Sequence, residues 1–182
     1  MLLPFGGVDS VVTKTDRSGS GGWNEAVALA VVFGLASVPW TYAFVAGFEL
    51  PLWPSFIASA SFYAAGGGLA GLKRGYASNA AGILYAAATL WVVDGLLGGG
   101  VLALSVVVGA FMFLASLHER VDLLSFTPGG FFGYATLFSV HAAGVTAFGY
   151  SGLAGETLAA AVSMLLGAAI GLATERLSDG LA

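Results

Sequence analysis

Three ionisable side chains sit where a hydrophobic sequence has least reason to keep them: His141, Asp94 and Glu156. His141 follows Pro128 by 13 residues, roughly 20 Å along a helix rising 1.5 Å per residue. Asp94 closes one apolar segment and Glu156 opens another, and both are expected at a similar depth. Imidazole is the side chain that ordinarily changes charge near neutral pH, and an ionisable group inside a membrane span is a candidate functional group. If the three converge, they form an outer vestibule whose charge follows pH. The alternative is a neutral His141 bonded to a nearby carbonyl, with both acids among lipid headgroups.

The other candidates for a solute path are aromatic or hydrogen-bonding. Trp40 and Tyr42 follow Pro39, which lies inside an apolar run and is expected to kink it. Phe56, Ser59 and Tyr63 follow Pro54; Phe131 and Tyr134 follow Pro128; Asn79 stands near the end of a third apolar segment. Each is equally suited to filling a bundle or lining a constriction.

Catalytic patterns are missing. The chain has no HExxH, GxSxG or phosphate-binding loop, and no carboxylate pair at a spacing that demands acid–base chemistry. With no cysteine, thiol catalysis, disulfides and Cys-ligated metal are excluded. No basic, aromatic-interleaved patch suggests nucleic acid. The expectation is a protein that is not an enzyme and carries no cofactor or metal.

What must position these residues follows from composition. The 182 residues are 58% hydrophobic and 9% charged, against about 25% charged in a soluble domain. So few charges cannot cover a soluble surface. A spanning helix needs about 20 mostly apolar residues, and six segments qualify: 26–48, 53–72, 77–96, 101–117, 126–148 and 157–174. Short connections at 49–52, 73–76, 97–100, 118–124 and 149–156 join them. Residues 1–22 read as a polar tail rather than a secretory signal, 23–176 as one membrane domain, and 177–182 as a short tail.

The charges orient this count. Lys14, Arg17, Lys73, Arg74, Arg120 and Arg176 all fall on one side of a six-span arrangement, as the positive-inside rule asks of cytoplasmic loops. Both termini are therefore expected in the cytoplasm of a multi-pass cell-membrane protein. The opposite face, with Glu49, Asp94 and Glu156, is acidic and favours neutral or cationic solutes.

The stretches starting at Trp53-Pro54 and at Pro128 resemble each other at a shift of 75 positions, Phe56 falling on Phe131 and Ser61 on Thr136. Three spans per half force the halves to face opposite ways. The fold class expected is thus all-α, with six transmembrane helices in a 3+3 inverted repeat, the halves spanning about 26–97 and 101–174. Such repeats place solute sites at the midplane. Gly67, Gly71 and Gly75, Gly129 and Gly133, and Gly167 and Gly171 recur every fourth residue, a spacing that lets helix backbones approach closely in lipid. A homo-oligomer is expected for so small a bundle.

Phe56, Phe62, Tyr63, Gly66, Gly67 and Gly68, followed by Phe126, Pro128, Gly129, Phe131 and Gly133, resemble a bacterial and archaeal inner-membrane family catalogued as domain of unknown function 1097. The resemblance covers roughly residues 30–175, with the polar tail as an addition. It implies the membrane fold and no particular activity. The function expected from the residues is a homo-oligomeric channel or facilitator for a small neutral or cationic solute. The alternative is a non-transporting accessory or structural membrane subunit.

Overall fold

A computed structural model describes residues 23–182. The expected tail at 1–22, with Lys14 and Arg17, lies outside the described residues. Those described are helical throughout, with no strand among them. Helix α1 covers Glu25–Tyr42 and continues as a π-helical turn at Ala43–Phe48; α2 is Trp53–Ala64, α3 Gly68–Gly95 and α4 Val101–Ser116. Two 3₁₀ turns, His118–Arg120 and Asp122–Leu124, lead into α5 at Thr127–Ala143, and α6 spans Gly152–Asp179.

Four of these elements are long and apolar enough to cross a membrane: Glu25–Phe48, Gly68–Gly95, Val101–Arg120 and Gly152–Asp179. Helices α2 and α5 have 12 and 17 residues. At 1.5 Å per residue they rise about 18 and 26 Å, less than the ~30 Å of a hydrocarbon core. The bundle therefore has four elements that match a membrane's width, one of them α4 together with the turn that follows it, and two that do not.

Several boundaries differ from the sequence expectation. Residues 73–76 are not a connection: Lys73 and Arg74 lie in the first turns of α3. Both are good helix formers, and Arg74 Nη2 donates to the Ala65 carbonyl at the end of α2, 3.3 Å away. The break falls earlier, at Gly66, Gly67 and Gly68, whose φ values of +102°, +67° and +58° suit glycine. Gly67 thus belongs to this break, where a side chain would run into Glu175. Likewise α6 begins at Gly152 and absorbs part of the expected 149–156 connection.

Helix starts follow local chemistry. The Asn24 side chain accepts from the Ala26 amide at 2.9 Å and caps α1. Pro54 and Pro128 stand in the first turns of α2 and α5, where a missing N–H costs nothing. Pro39 lies inside α1, and the π-helical turn follows a few residues later.

Helix α3 packs along α5 and α2 along α6, while α3 also crosses α6. Helix α1 lies against α6 and α4 against α3. Close approach depends on glycine. A side chain on Gly82 would strike the Gly130 carbonyl, one on Gly133 the Asn79 carbonyl, and one on Gly167 the Ser55 carbonyl. Lipid tails give helices no hydrophobic reason to associate, so such van der Waals contact between backbones carries the packing. Peripheral α1 and α4 expose Leu35, Val38, Val101, Leu102, Val106 and Phe113. A surface this apolar suits a bilayer and would be an aggregation liability in water.

Candidate functional site

At the junction of α5 and α6 the chain turns through Gly144, in the left-handed region at φ +64°. That turn sets His141, in the last turn of α5, beside Glu156 in the early turns of α6. His141 Nδ1 lies 2.7 Å from Glu156 Oε2. The carboxylate is 7% exposed, and the imidazole is the more accessible partner. Asp94 is exposed at the end of α3 and makes no hydrogen bond to the pair. Two of the three groups expected at a vestibule therefore meet, and Asp94 stands apart from their bond.

Within the bundle, polar side chains tie helices together. Trp40 is buried; its indole N–H donates to Ser55 Oγ at 2.9 Å, and its ring lies 4.4 Å from that of Phe56. The Tyr134 hydroxyl pairs with Thr89 Oγ1 at 2.8 Å, joining α5 to α3. The Tyr63 hydroxyl pairs with Thr174 Oγ1 at 2.9 Å and donates to the Gly171 carbonyl at 3.1 Å, joining α2 to α6. Ser61 donates to Asn79 Oδ1 at 3.0 Å. Tyr42, Phe56 and Phe131 are exposed to the outside of the bundle, whereas Ser59 is buried. Tyr42 is 74% exposed and helps line a groove of about 590 Å³ with Ser37, Thr41 and Val45; Phe56 and Phe131 are 39% and 40% exposed.

A second set of side chains, mostly unmarked by the sequence reading, is buried with polar atoms that find no partner. It comprises Ser59 Oγ on α2, Ser78 Oγ and Asn79 Nδ2 on α3, Thr136 Oγ1 on α5 and Ser163 Oγ on α6. His118 Nδ1 and Thr127 Oγ1 complete it at the entry to α5. Ser78, Asn79, Thr136 and Ser163 are fully buried. A buried unpaired donor costs about 1–3 kcal/mol, so several in one bundle need a reason.

His118 was expected in a loop. Instead it is 3% exposed, packed under α5, with Nε2 3.1 Å from the Tyr85 hydroxyl. Its burial has no periodic signature; Glu119 and Arg120 make the stretch read as a solvated connection. Serines and threonines inside α3, α5 and α6 gave a signal in principle, as hydroxyls among apolar residues.

At the end where α6 finishes, a cavity of about 190 Å³ is lined by Glu25, Leu29, Tyr63, Glu175, Ser178 and Asp179. Glu175 Oε2 accepts the Gly68 amide at 2.8 Å and closes the glycine break between α2 and α3. No group of three or more His, Cys, Asp or Glu residues that could hold a metal occurs among the described residues.

This architecture has a family. The model described as "Protein of unknown function (DUF1097)" matches residues 30–179. The chain belongs to the DUF1097 family. The Pro-led α2 and α5, the glycine break and the Gly82, Gly133 and Gly167 contacts all lie within the DUF1097 match. A relative described as "Uncharacterized protein YahC", from Escherichia coli (strain K12), is 37% identical over 99 residues, covering 51% of this chain and 59% of that protein. The chain thus spans about three fifths of that relative's length. No solved structure matches the chain.

Proposed function

We propose that this DUF1097-family protein is a membrane channel or facilitator for a small, uncharged, hydrogen-bonding solute, passing along the seam between α2 and α5. One observation carries the reading: polar atoms on α2, α3, α5 and α6 are buried without partners inside a bundle whose long helices are membrane-like. A pure packing element has no use for unpaired hydroxyls, because each costs free energy in an apolar interior. A passing solute or water chain would partner them. The unpartnered interior groups are neutral, which favours an uncharged cargo over the cation that the acidic loops also permit.

The helix pairings support a 3+3 inverted repeat. Exchanging α1–α3 for α4–α6 carries the α3–α5 pairing onto α2–α6, and α1–α6 onto α3–α4. The Thr89–Tyr134 and Thr174–Tyr63 links join these same helix pairs, with the tyrosines about one turn apart in register. In this reading both termini are cytoplasmic in a cell membrane. The protein is not an enzyme, takes no cofactor and assembles with copies of itself through α1 and α4, where Gly34 and Gly109 face open space.

The rival, a non-transporting membrane subunit, draws support from the glycine contacts that bring α3 onto α5 and α2 onto α6. Solute flux into proteoliposomes separates the two. Formamide, urea and glycerol are tested in turn by stopped-flow swelling. Flux above empty vesicles, reduced by Thr136→Val or Ser163→Ala, is the expected result. No flux for any solute overturns the transport reading.

A further inference from the structure

We infer that the first turn of α5 carries a binding point for the carbonyl oxygen of a small uncharged amide, with His118 as its principal donor. The inference rests on the transport reading only for the charge of the ligand.

Helix α5 opens Thr127-Pro128-Gly129-Gly130. A helix start carries partial positive charge and so favours an acceptor; here Pro128 has no N–H and the Gly129 amide already donates to the Phe126 carbonyl at 2.9 Å. A helix start alone is common; here a second feature is directed at it. His118 is 97% buried, and its Nδ1 finds no partner. That atom lies 3.2 Å from the position a side chain on Gly130 would occupy. The Tyr85 hydroxyl occupies the other ring nitrogen. When Tyr85 donates to Nε2, the proton of the neutral ring is on Nδ1, which then presents an N–H toward the α5 corner. Thr127 Oγ1, three residues before Gly130 and on the same side of the turn, is also buried and unpartnered. The imidazole and the helix start thus meet at one small corner. That position is tight: a side chain there would lie 3.2 Å from the imidazole and 3.6 Å from Ala115, so a carbonyl oxygen enters only as the imidazole gives way.

The matching corner in the first half is filled. Ser55 lies 75 positions before Gly130, and Trp40 the same distance before Ala115. There the indole N–H of Trp40 meets Ser55 Oγ, and Ser55 donates to the Leu52 carbonyl at 2.6 Å. Its polar atoms are all partnered. At the start of α5 both residues are replaced by Ala115 and Gly130, and His118 Nδ1, which faces the corner, remains free. An oxygen with no proton to donate fits the set. A carboxylate fits less well, since no Lys or Arg makes a hydrogen bond or ion pair there among the described residues: Arg120 is exposed and Arg74 turns to Ala65.

The test uses full-length protein in lipid nanodiscs with ¹⁵N-labelled histidine. The chain holds two histidines, so His141→Gln assigns the His118 resonances. Formamide, urea and sodium formate are titrated separately. The expected result is a saturable shift of the His118 Nδ1 signal with formamide and urea. Tyr85→Phe, which releases the tautomer while keeping the ring, should weaken it roughly ten-fold, as for loss of one buried hydrogen bond. Thr127→Val should weaken it by a similar factor. A response to formate alone overturns the uncharged-ligand assignment, and no saturable response to any of the three overturns the site. Binding without flux in proteoliposomes leaves this site standing and sinks the transport reading instead.

Discussion

His141 Nδ1 lies 2.7 Å from Glu156 Oε2, across the corner where α5 gives way to α6. The carboxylate is nearly buried while the ring reaches the surface, so the contact ties the end of α5 to the start of α6 where water screens poorly. If this pair gates a path, His141→Ala and Glu156→Gln should each change solute flux into proteoliposomes by a similar factor. Flux identical to the unaltered protein's in both variants rules out gating by the pair.

The glycine contacts make a prediction about stability alone. Gly82→Ala and Gly167→Ala each push a methyl into a backbone carbonyl of a neighbouring helix. Overpacking of this kind costs about 1–3 kcal/mol, read as a lower unfolding temperature in detergent. Gly34→Ala and Gly109→Ala meet nothing within 4 Å inside the protomer and should leave the unfolding temperature of the dissociated protomer unchanged or raised. Equal effects at all four positions would contradict the helix pairing described above.

Trp40 and Ser55 are coupled through a single N–H···O bond at 2.9 Å. In a double-mutant cycle, Trp40→Phe and Ser55→Ala should show a coupling of about 1 kcal/mol. Additive losses would mean that the indole only fills space.

The Tyr134–Thr89 and Tyr63–Thr174 links each tie a short helix to a long one. Interhelical hydrogen bonds in membranes average about 0.6 kcal/mol, so Tyr134→Phe and Tyr63→Phe are each expected to destabilise by a small amount. A large loss of stability at either site would show that the link does more than this.

Thr136→Val and Ser163→Ala separate transport from packing. Both hydroxyls are unpartnered and fully buried. Removing a buried, unpaired polar group is neutral or stabilising, so unfolding should not fall, while solute flux should. Lower stability in both variants, with flux unchanged, supports a packing role.

Much of the fold was legible because apolar run length is a direct measure of membrane fit. The segments 26–48 and 101–117 nearly coincide with Glu25–Phe48 and with α4 at Val101–Ser116. The second and third segments were divided wrongly because Lys73 and Arg74 resemble a loop, whereas the chain breaks at three glycines a turn earlier. The His141–Glu156 approach could be anticipated from depth along a helix. The position of His118 could not, since a 3₁₀ turn folds it beneath Gly130 and no spacing rule records that contact.

Helices α3 and α6 each run for 28 residues, whereas α2 runs for 12. Over its column only about 18 Å is regular helix, bounded by the irregular chain at 49–52 on one side and the glycine break on the other. A column this short cannot reach across a hydrocarbon core on its own, and the chain at each of its ends lies inside the bundle: Leu50 and Pro51 before it and Ala65 and Gly67 after it are buried.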